Sequence, residues 1–266
     1  MARFSWRASR VPVLVLRGLI AARPFAIHIA RYREPIRRAF ALARRHKILM
    51  LAIDSPGGSP VQSDLVASYI RTQADALGVR VIAAIGDVGA SGGYWLACAG
   101  DEIIANRMSI VGSIGVIGGG FGLADFIQRH GIERRIYTAG AHKARLDPFR
   151  PEDADDVLFT RALLTSIHDE FKDWVRTRRG SRLRDEGAAF DGSYMLGSEA
   201  LKVGLIDGFG SIDAWVSEWG GPRAKPVFVE PRRPRGLSRL FARTAAESVL
   251  EVAEERAAHP LARLTL

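Results

Sequence analysis

A serine and a lysine, each set among small residues, carry the chemistry that this sequence could perform. Ser91 lies in the run Gly-Ala-Ser-Gly-Gly at residues 89–93, and Lys143 ends the run Gly-Ala-His-Lys at residues 140–143. An unactivated serine hydroxyl is a poor nucleophile, because attack requires a neutral base within hydrogen-bond reach and N–H donors for the oxyanion. These residue types predict a serine hydrolase whose base is a lysine.

Two glycine-rich turns could expose the nucleophile and hold the oxyanion. The glycines around Ser91 fit a nucleophile elbow, a tight strand-to-helix turn that exposes a hydroxyl. Gly57 and Gly58, in the run Asp-Ser-Pro-Gly-Gly at residues 54–58, present backbone N–H groups where an anion is favoured. A phosphate cradle or a plain turn is the competing interpretation of this run, but no Gly-Lys-Ser/Thr follows it, which excludes a P-loop.

A histidine base is the main alternative to Lys143. The sequence has six histidines, and none lies in a metal-binding or recognised triad motif. The order Ser91, Asp213, His259 would match an α/β-hydrolase, but His259 lies beside Pro260 in the C-terminal tail, which is a poor place for a rigid triad. We therefore expect neither a metal nor any other cofactor.

The elements that must position these residues alternate between strands and helices. Residues 48–53 are continuously apolar, which is typical of a strand buried on both faces of a parallel sheet. Ser59 and Gln62 form a predicted capping box with Pro60 at the first helical position, so a helix begins directly after Gly58. The remaining predicted elements are strands at 11–16, 79–85, 102–105 and 135–138 and helices at 35–47, 91–99, 123–130, 151–178 and 198–203. This alternation predicts an α/β protein with right-handed βαβ crossovers.

Composition limits the function further. With 266 residues, 47% of them hydrophobic, the chain can bury a substantial core, and the single Cys98 excludes an intramolecular disulfide. Residues 1–47 carry twelve Arg and Lys against one acid, a balance that suits an anionic membrane surface or nucleic acid. No nucleic-acid recognition motif is present, so nucleic acid is not an expected partner. No apolar run reaches the ~18–20 residues that span a bilayer, which predicts a cytoplasmic protein, soluble or peripheral at the inner face of the membrane.

From about residue 44 to 217 the chain resembles the signal peptide peptidase (SppA-like) family of Ser-Lys serine peptidases. The runs at residues 54–58, 90–94, 112–116, 140–149 and 200–207 occur in the order that the family has them. In the family, the serine that matches Ser91 is the nucleophile, the lysine that matches Lys143 is the general base, and the serine that matches Ser113 orients this lysine. The oxyanion would then be held by Gly92 together with Gly57 or Gly58, a choice that the sequence leaves open.

The resemblance also implies a fold, an activity and partners. The fold would be Clp-protease/crotonase-like, with repeated β-β-α and βαβ units and helices packed on a parallel sheet. The activity would be that of a serine endopeptidase degrading signal peptides or other unstructured or membrane-associated peptides, within a homo-oligomer. Members typically carry an N-terminal transmembrane anchor, and this sequence has a basic segment instead. We expect residues 1–33 to form this segment with the first strand, residues 34–221 the peptidase domain, and residues 222–266 a Pro/Arg-rich linker and helical tail.

Two other function classes remain open on the same residues. A crotonase-type acyl-CoA enzyme shares a two-amide oxyanion hole but needs no serine-lysine pair. A catalytically silent scaffold could bind membranes through the basic N-terminus. Ser91, Ser113 and Lys143 together favour the peptidase over the acyl-CoA enzyme, and labelling with a serine-directed phosphonate would separate the peptidase from both alternatives.

Overall fold

The computed structural model describes residues 10–232, which form two compact units. The first unit comprises residues 10–115 together with 169–232, and the second comprises residues 116–168. Residues 1–9 and 233–266 lie outside the described part, so most of the predicted tail and most of the basic N-terminal run before the first strand do too.

The first unit is built on an eight-stranded sheet. Its strands are β1 (Arg10–Arg17), β2 (Ile48–Ser55), β3 (Arg80–Ala90), β4 (Glu102–Ala105), β5 (Ile110–Gly112), β6 (Tyr194–Leu196), β7 (Gly208–Phe209) and β8 (Lys225–Val229). The order is β6-β5-β3-β2-β1-β8, with β4 beside β3 and β7 beside β4. All pairs are parallel except β5 with β6. The predicted α/β class is confirmed.

Eight α-helices accompany the strands. They are α1 (Ile29–Ala43), α2 (Pro60–Leu77), α3 (Gly92–Ala97), α4 (Ala124–Arg129), α5 (Ala154–Arg179), α6 (Glu186–Ala189), α7 (Gly197–Val203) and α8 (Ile212–Gly220) within the described range. In the first unit α1 and α3 pack on the central strands, α2 packs on both of these helices, and α8 packs against β8. The second unit holds α4 and the N-terminal part of α5.

The buried strands follow from their apolar runs. In β2, Leu49, Met50, Leu51 and Ile53 are all buried, as expected for a strand with both faces covered. One core cluster joins Met50 to Val13 of β1, Ile82 of β3 and Val216 of α8 among others. The sheet therefore holds the loops at its carboxyl edge on a rigid base.

Local signals set the limits of α2. Ser59 caps its first turn, since the Ser59 Oγ accepts the Gln62 N–H at 3.4 Å, and Pro60 is the first helical residue. Gly78 ends the helix in the left-handed conformation at φ 58°. The second half of the predicted capping box is not formed, because the Gln62 side chain accepts the Ile29 N–H at 3.1 Å and the Ser59 N–H donates to Ile20 O instead.

Three sequence-based expectations differ from the structure. The helix predicted from Pro35 begins at Ile29, and Pro35 lies inside α1, where burial of Tyr32 outweighs the backbone hydrogen bond that a proline cannot donate. Residues 135–138 form no strand, because nothing in the described second unit pairs with them. Residues 225–229, expected within a linker, form the edge strand β8 parallel to β1. Pro226 is tolerated there because an edge strand needs fewer N–H donors.

Residues 10–232 include neither a membrane-spanning helix nor a metal-binding cluster. No helix in this range combines the length and the apolar character needed to cross a bilayer. The same range contains no group of three or more His, Cys, Asp or Glu side chains arranged to hold a metal ion.

Candidate active site

Ser91 occupies a strained turn between β3 and α3. Its backbone has φ 54° and ψ −125°, a conformation that costs a residue with a side chain on the order of 1–3 kcal/mol. The Ser91 N–H donates to Gly112 O at 2.8 Å, which ties the turn to β5, and the residue is only 4% exposed. The strand-turn-helix geometry expected for a nucleophile elbow is therefore present.

Glycines allow this turn to lie directly against the loop at residues 55–58. A Cβ added at Gly93 would lie 2.3 Å from Ser55 O, and a Cβ added at Gly92 would lie 2.5 Å from Ser63 Oγ and 3.3 Å from Gly57 Cα. Any side chain at these positions would separate the two backbones. The close approach brings two sets of backbone N–H groups to the same place as Ser91.

The backbone of the 55–58 loop is held by Ile20 and Ser55. Gly57 and Gly58 have φ values of 101° and 143°, in the region that favours glycine. Ile20 donates its N–H to Gly57 O at 2.9 Å, and the Gly57 N–H donates to Ser55 Oγ at 3.2 Å. The Gly57 N–H thus already has an acceptor.

Gly58 and Gly92 are left as the available donors. Neither N–H donates in any hydrogen bond found within residues 10–232. Gly92 is the first residue of α3, where helix geometry leaves N–H groups without an intrahelical acceptor. Two such donors beside a serine are the arrangement that stabilises a developing oxyanion.

The Ser91 hydroxyl is buried and makes no hydrogen bond to any residue of the described part of the chain. Tyr94 in α3 and Cys98 directly after α3 are titratable, and both stay protonated near neutral pH because their pKa values are raised. Burial raises the pKa of the Tyr94 phenol well above its ordinary value, and Tyr94 donates to Leu205 O at 2.7 Å. Burial also raises the pKa of the Cys98 thiol to about 12. Neither group can act as a base on Ser91 near neutral pH.

Ser113 lies next to the residue that holds the Ser91 turn. Gly112 accepts the Ser91 N–H, and Ser113 follows it at φ 52° with its own N–H donating to Ser193 O at 2.8 Å. Ser113 is half-buried. The first unit therefore brings together Ser91, Ser113 and the predicted oxyanion glycines.

Lys143 belongs to the second unit. It lies in a turn in which its N–H donates to Gly140 O at 3.3 Å, and the residue is exposed. The partnership of Lys143 with Ser91 therefore remains a prediction.

Sequence reasoning missed three side chains of α5 that contact the helix after Ser91, α3, and the residue that follows it. Trp174 Nε1 donates to Trp95 O at 3.1 Å, Arg178 Nε donates to Cys98 O at 2.8 Å, and the Phe171 ring lies 4.9 Å from the Trp95 ring. These three residues of α5 recur at helical spacing, which indicates one helix face. The spacing alone does not indicate that this face binds the helix after Ser91.

Comparison with known proteins gives the family. The model described as peptidase family S49 matches residues 73–220, more than half of the chain. The chain belongs to peptidase family S49, which confirms the predicted relationship to the SppA-like peptidases. The parallel sheet with packed helices is consistent with the Clp-protease/crotonase-like fold expected for this family.

Individual relatives include proteases and one transporter. The chain is 31% identical over 204 residues to the protease SohB of Buchnera aphidicola, covering 77% of this chain and 56% of that one. It is 31% identical over 179 residues to the chloroplastic serine protease SPPA of Arabidopsis thaliana, covering 66% and 26% of the two chains. It is also 40% identical over 236 residues to the Na⁺/H⁺ antiporter NhaA of Brucella abortus, covering 87% and 32%. The chain thus spans between about a quarter and just over half of the length of these relatives.

Proposed function

We propose that this chain is a serine endopeptidase in which Ser91 is the nucleophile and Lys143 the general base. One observation carries the proposal: among residues 10–232 the buried Ser91 hydroxyl has no hydrogen-bond partner, and it sits in a strained turn beside the N–H groups of Gly58 and Gly92, which have no acceptor there either. Strain of this kind persists only where the surrounding structure enforces it, and it is concentrated at functional sites.

The reaction begins with proton transfer from Ser91 to Lys143. As neutral Lys143 Nζ accepts the proton, Ser91 Oγ bonds to the carbonyl carbon of the substrate, and the N–H groups of Gly58 and Gly92 hold the resulting oxyanion. Collapse breaks the C–N bond, and Lys143 returns the proton to the leaving amine. Water, deprotonated by Lys143, then hydrolyses the acyl-enzyme and regenerates the Ser91 hydroxyl. Gly58 is preferred to Gly57 as the donor because the Gly57 N–H already binds Ser55 Oγ.

The role of Lys143 sets a condition on its surroundings. A lysine ordinarily titrates near 10.4, so a lysine acts as a base near neutral pH only where its charged form is disfavoured. Ser113 would orient the amine by a hydrogen bond, as the family resemblance implies. These assignments rest on the matched motifs and on the geometry within each unit.

Mutation of the two residues tests the dyad. We expect Ser91→Ala and Lys143→Ala each to lower the rate of hydrolysis of an unstructured peptide by about 10⁴-fold, and the double variant to be little worse, because residues that act as one unit lose their effect together. Circular dichroism of each variant verifies that it is folded. Substantial activity in either single variant, or multiplicative losses, would overturn the dyad.

The pH dependence of hydrolysis gives a second test. Activity should rise toward the mildly alkaline range as the lysine base becomes neutral, rather than through a histidine-like midpoint near 6.5. A rate profile that Lys143→Met leaves unchanged would show that the base lies elsewhere.

Labelling separates the peptidase from the alternatives. An acyl-CoA enzyme of this fold or a silent scaffold would have no activated serine, so neither would react with a serine-directed phosphonate. We expect the phosphonate to modify the wild-type chain at Ser91 and to leave the Ser91→Ala variant unmodified. The expected substrates are signal peptides or other unstructured or membrane-associated peptides, an expectation that rests on the family resemblance.

A homo-oligomer is supported by the second unit. No apolar side chain of residues 116–168 is fully buried, and large ones are exposed there, including Ile117, Phe121, Tyr137 and Leu158. Several large exposed apolar side chains in one unit are more than scattered single ones, and such surfaces are typical of protein interfaces. Sedimentation of the purified chain should show an assembly larger than a monomer, and Phe121→Ser should weaken it.

Peripheral contact with an anionic bilayer is supported by charge. Arg33 and Arg37 on α1 and Arg44, the residue that caps its C-terminus, are exposed and have no carboxylate partner within the described residues. The N-terminal residues 1–9, with Phe4 and Trp6 among arginines, lie outside the described part. Each basic residue near such a surface contributes at most about 1 kcal/mol, so binding should weaken steeply with salt. Liposome sedimentation with and without anionic lipid, comparing the full chain with one lacking residues 1–10, tests this contact, which the proposed location at the inner membrane face requires.

A further inference from the structure

The loop that follows Lys143 forms two ion pairs of opposite polarity within the second unit. Arg145 Nη1 lies 3.2 Å from Asp156 Oδ1 in the first turn of α5. Two residues further on, Asp147 Oδ2 lies 3.4 Å from Arg134 Nη2. The loop thus supplies the cation Arg145 to one pair and the anion Asp147 to the other. One pair holds the loop to α5 at Asp156, and the other holds it to Arg134.

The backbone between these two charges is strained and is held by the same carboxylates. Leu146 has φ 57°, a left-handed conformation that is rare for a residue with a branched side chain. Its N–H donates to Asp156 Oδ2 at 3.3 Å, and the Phe149 N–H donates to Asp147 Oδ1 at 3.1 Å. Each carboxylate therefore binds both an arginine and the loop backbone.

Burial and stacking distinguish these pairs from ordinary surface pairs. The Asp147 side chain is only 5% exposed, and those of Arg145 and Asp156 are 20% and 21% exposed. The Arg145 guanidinium also lies over the Phe159 ring, 4.3 Å from its centroid. Partly desolvated charge pairs with a stacked guanidinium restrict geometry more than exposed pairs do.

Arg145 also reaches the residue that precedes Lys143. Its Nη2 lies 2.9 Å from His142 Nδ1, and because a guanidinium only donates, this nitrogen must be the unprotonated acceptor. The Arg145 side chain therefore connects His142, the residue before Lys143, to Asp156 of α5, and Arg145 itself lies two residues after Lys143.

We propose that Arg145 and Asp156 are positioning residues for the peptidase reaction, holding the Lys143 turn in the geometry that proton transfer requires. This inference rests on the proposed function, because it takes Lys143 as the base. A strained backbone conformation persists only where the surrounding structure enforces it. The Asp156 carboxylate does so at Leu146 by accepting the Leu146 N–H. Misplacing a catalytic group by about 1 Å can cost about 100-fold in rate.

The test compares kcat, KM and the pH of half-maximal activity for the full chain on an unstructured peptide. The variants are Asp156→Asn, Arg145→Met, Arg145→Lys and the double Arg145→Met/Asp156→Asn. The matched control is Glu133→Gln, which breaks an exposed pair with Arg135 in the same unit. We expect Arg145→Met and Asp156→Asn to lower kcat about 10- to 100-fold with KM little changed, and the double variant to be no worse than Arg145→Met.

Two further results distinguish positioning from a merely structural role. Release of the loop should change the pH of half-maximal activity, because the proton affinity of a base depends on the charges around it, and the loop variants change both those charges and the position of the base. Arg145→Lys, which retains the charge, should restore part of kcat, and Glu133→Gln should match the wild type. A variant that merely loses folded protein would show a lower kcat with an unchanged pH of half-maximal activity, and this outcome would overturn the inference. An unchanged kcat in Arg145→Met and Asp156→Asn would overturn it too.

Failure of the proposed function is recognised separately. If the wild type hydrolyses no peptide, or if Lys143→Ala retains activity, the dyad itself is wrong. If the dyad holds and the loop variants behave as the wild type does, only the positioning role is wrong.

Discussion

Arg179 binds Asp207 with both ends of its guanidinium group, at 2.8 Å for each hydrogen bond. The arginine is almost completely buried at the C-terminus of α5, and its Nε donates to Gly204 O at 2.9 Å. Asp207 Oδ2 also accepts the Ile103 N–H at 2.7 Å. The pair thus joins the end of α5 to β4 and to the turn after α7.

The environment of Asp207 makes the stability of this pair dependent on pH. Burial by itself would raise the pKa of Asp207, but the hydrogen bonds from Arg179 and from the Ile103 N–H outweigh burial and leave the pKa below its ordinary value. A carboxyl group with a lowered pKa in the folded state stabilises the fold above its unfolded pKa, and this contribution is lost as pH falls toward the folded value.

We expect Asp207→Asn to destabilise the protein by about 3–5 kcal/mol at pH 7, because it leaves the buried Arg179 charge uncompensated. The free energy of unfolding from urea titration measures this loss. The difference from the wild type should shrink as pH falls from about 4, the ordinary pKa of an aspartate in the unfolded chain, toward the lowered pKa of Asp207 in the folded protein. Glu133→Gln, in an exposed pair, is the control and should change little. A difference that stays constant down to pH 2 would contradict the account.

Cys98 should be unreactive in the folded protein. It is fully buried, and burial raises its pKa to about 12, so almost no thiolate exists at pH 8. We expect a thiol-directed reagent such as iodoacetamide to leave the native protein unmodified and to modify one thiol after denaturation in urea. Rapid native labelling at pH 8 would show that the C-terminal end of α3 opens readily.

Gly93→Ala should destabilise the fold by about 3 kcal/mol, because the new Cβ would lie 2.3 Å from Ser55 O, a backbone atom that cannot give way freely. Gly208→Ala is a matched control in the same unit, since a Cβ there meets nothing within 4 Å. Thermal unfolding of both variants measures the difference. Equal melting temperatures would show that the Ser91 turn does not need the close approach to Ser55.

Ser113→Ala should slow peptide hydrolysis by about tenfold, much less than Lys143→Ala, because it removes an orienting hydrogen bond and leaves nucleophile and base in place. The kcat values of the two variants at the same pH give the comparison. Ser113→Gly, which also removes the hydroxyl but suits the left-handed backbone at φ 52°, is the control for strain in the turn. A loss in Ser113→Ala equal to that in Lys143→Ala would indicate a direct part in proton transfer.

Much of the fold could be predicted because its signals are local. The continuous apolar run at residues 48–53 indicated a buried parallel strand, and Ser59 with Pro60 indicated the start of α2 at the residue where the structure has it. The glycines around Ser91 indicated a tight turn between strand and helix. Capping, hydrophobic periodicity and turn chemistry depend on neighbouring residues, so they are legible in the sequence.

Other features depend on segments that are distant in the chain. Whether residues 225–229 form a strand depends on the free edge of β1, and whether residues 135–138 do so depends on a partner strand that the described second unit lacks. The start of α1 was misplaced because burial of Tyr32 extends the helix before Pro35. A hydrogen-bonding partner or a buried face is a tertiary property, which local patterns do not contain.

The sequence by itself determined the candidate nucleophile Ser91, the candidate base Lys143, the family and the α/β class, because these depend on residue types in a fixed order. Only the tertiary structure decided that the Gly57 N–H donates to Ser55 Oγ, while the Gly58 N–H has no acceptor within residues 10–232. The tertiary structure likewise decided that Asp156 holds the loop after Lys143. It also showed that Arg178 donates a hydrogen bond to Cys98 O, although the two residues are 80 positions apart in the chain. The physical reason is that a hydrogen bond needs two groups at one place and in one orientation, and chain folding alone brings them there.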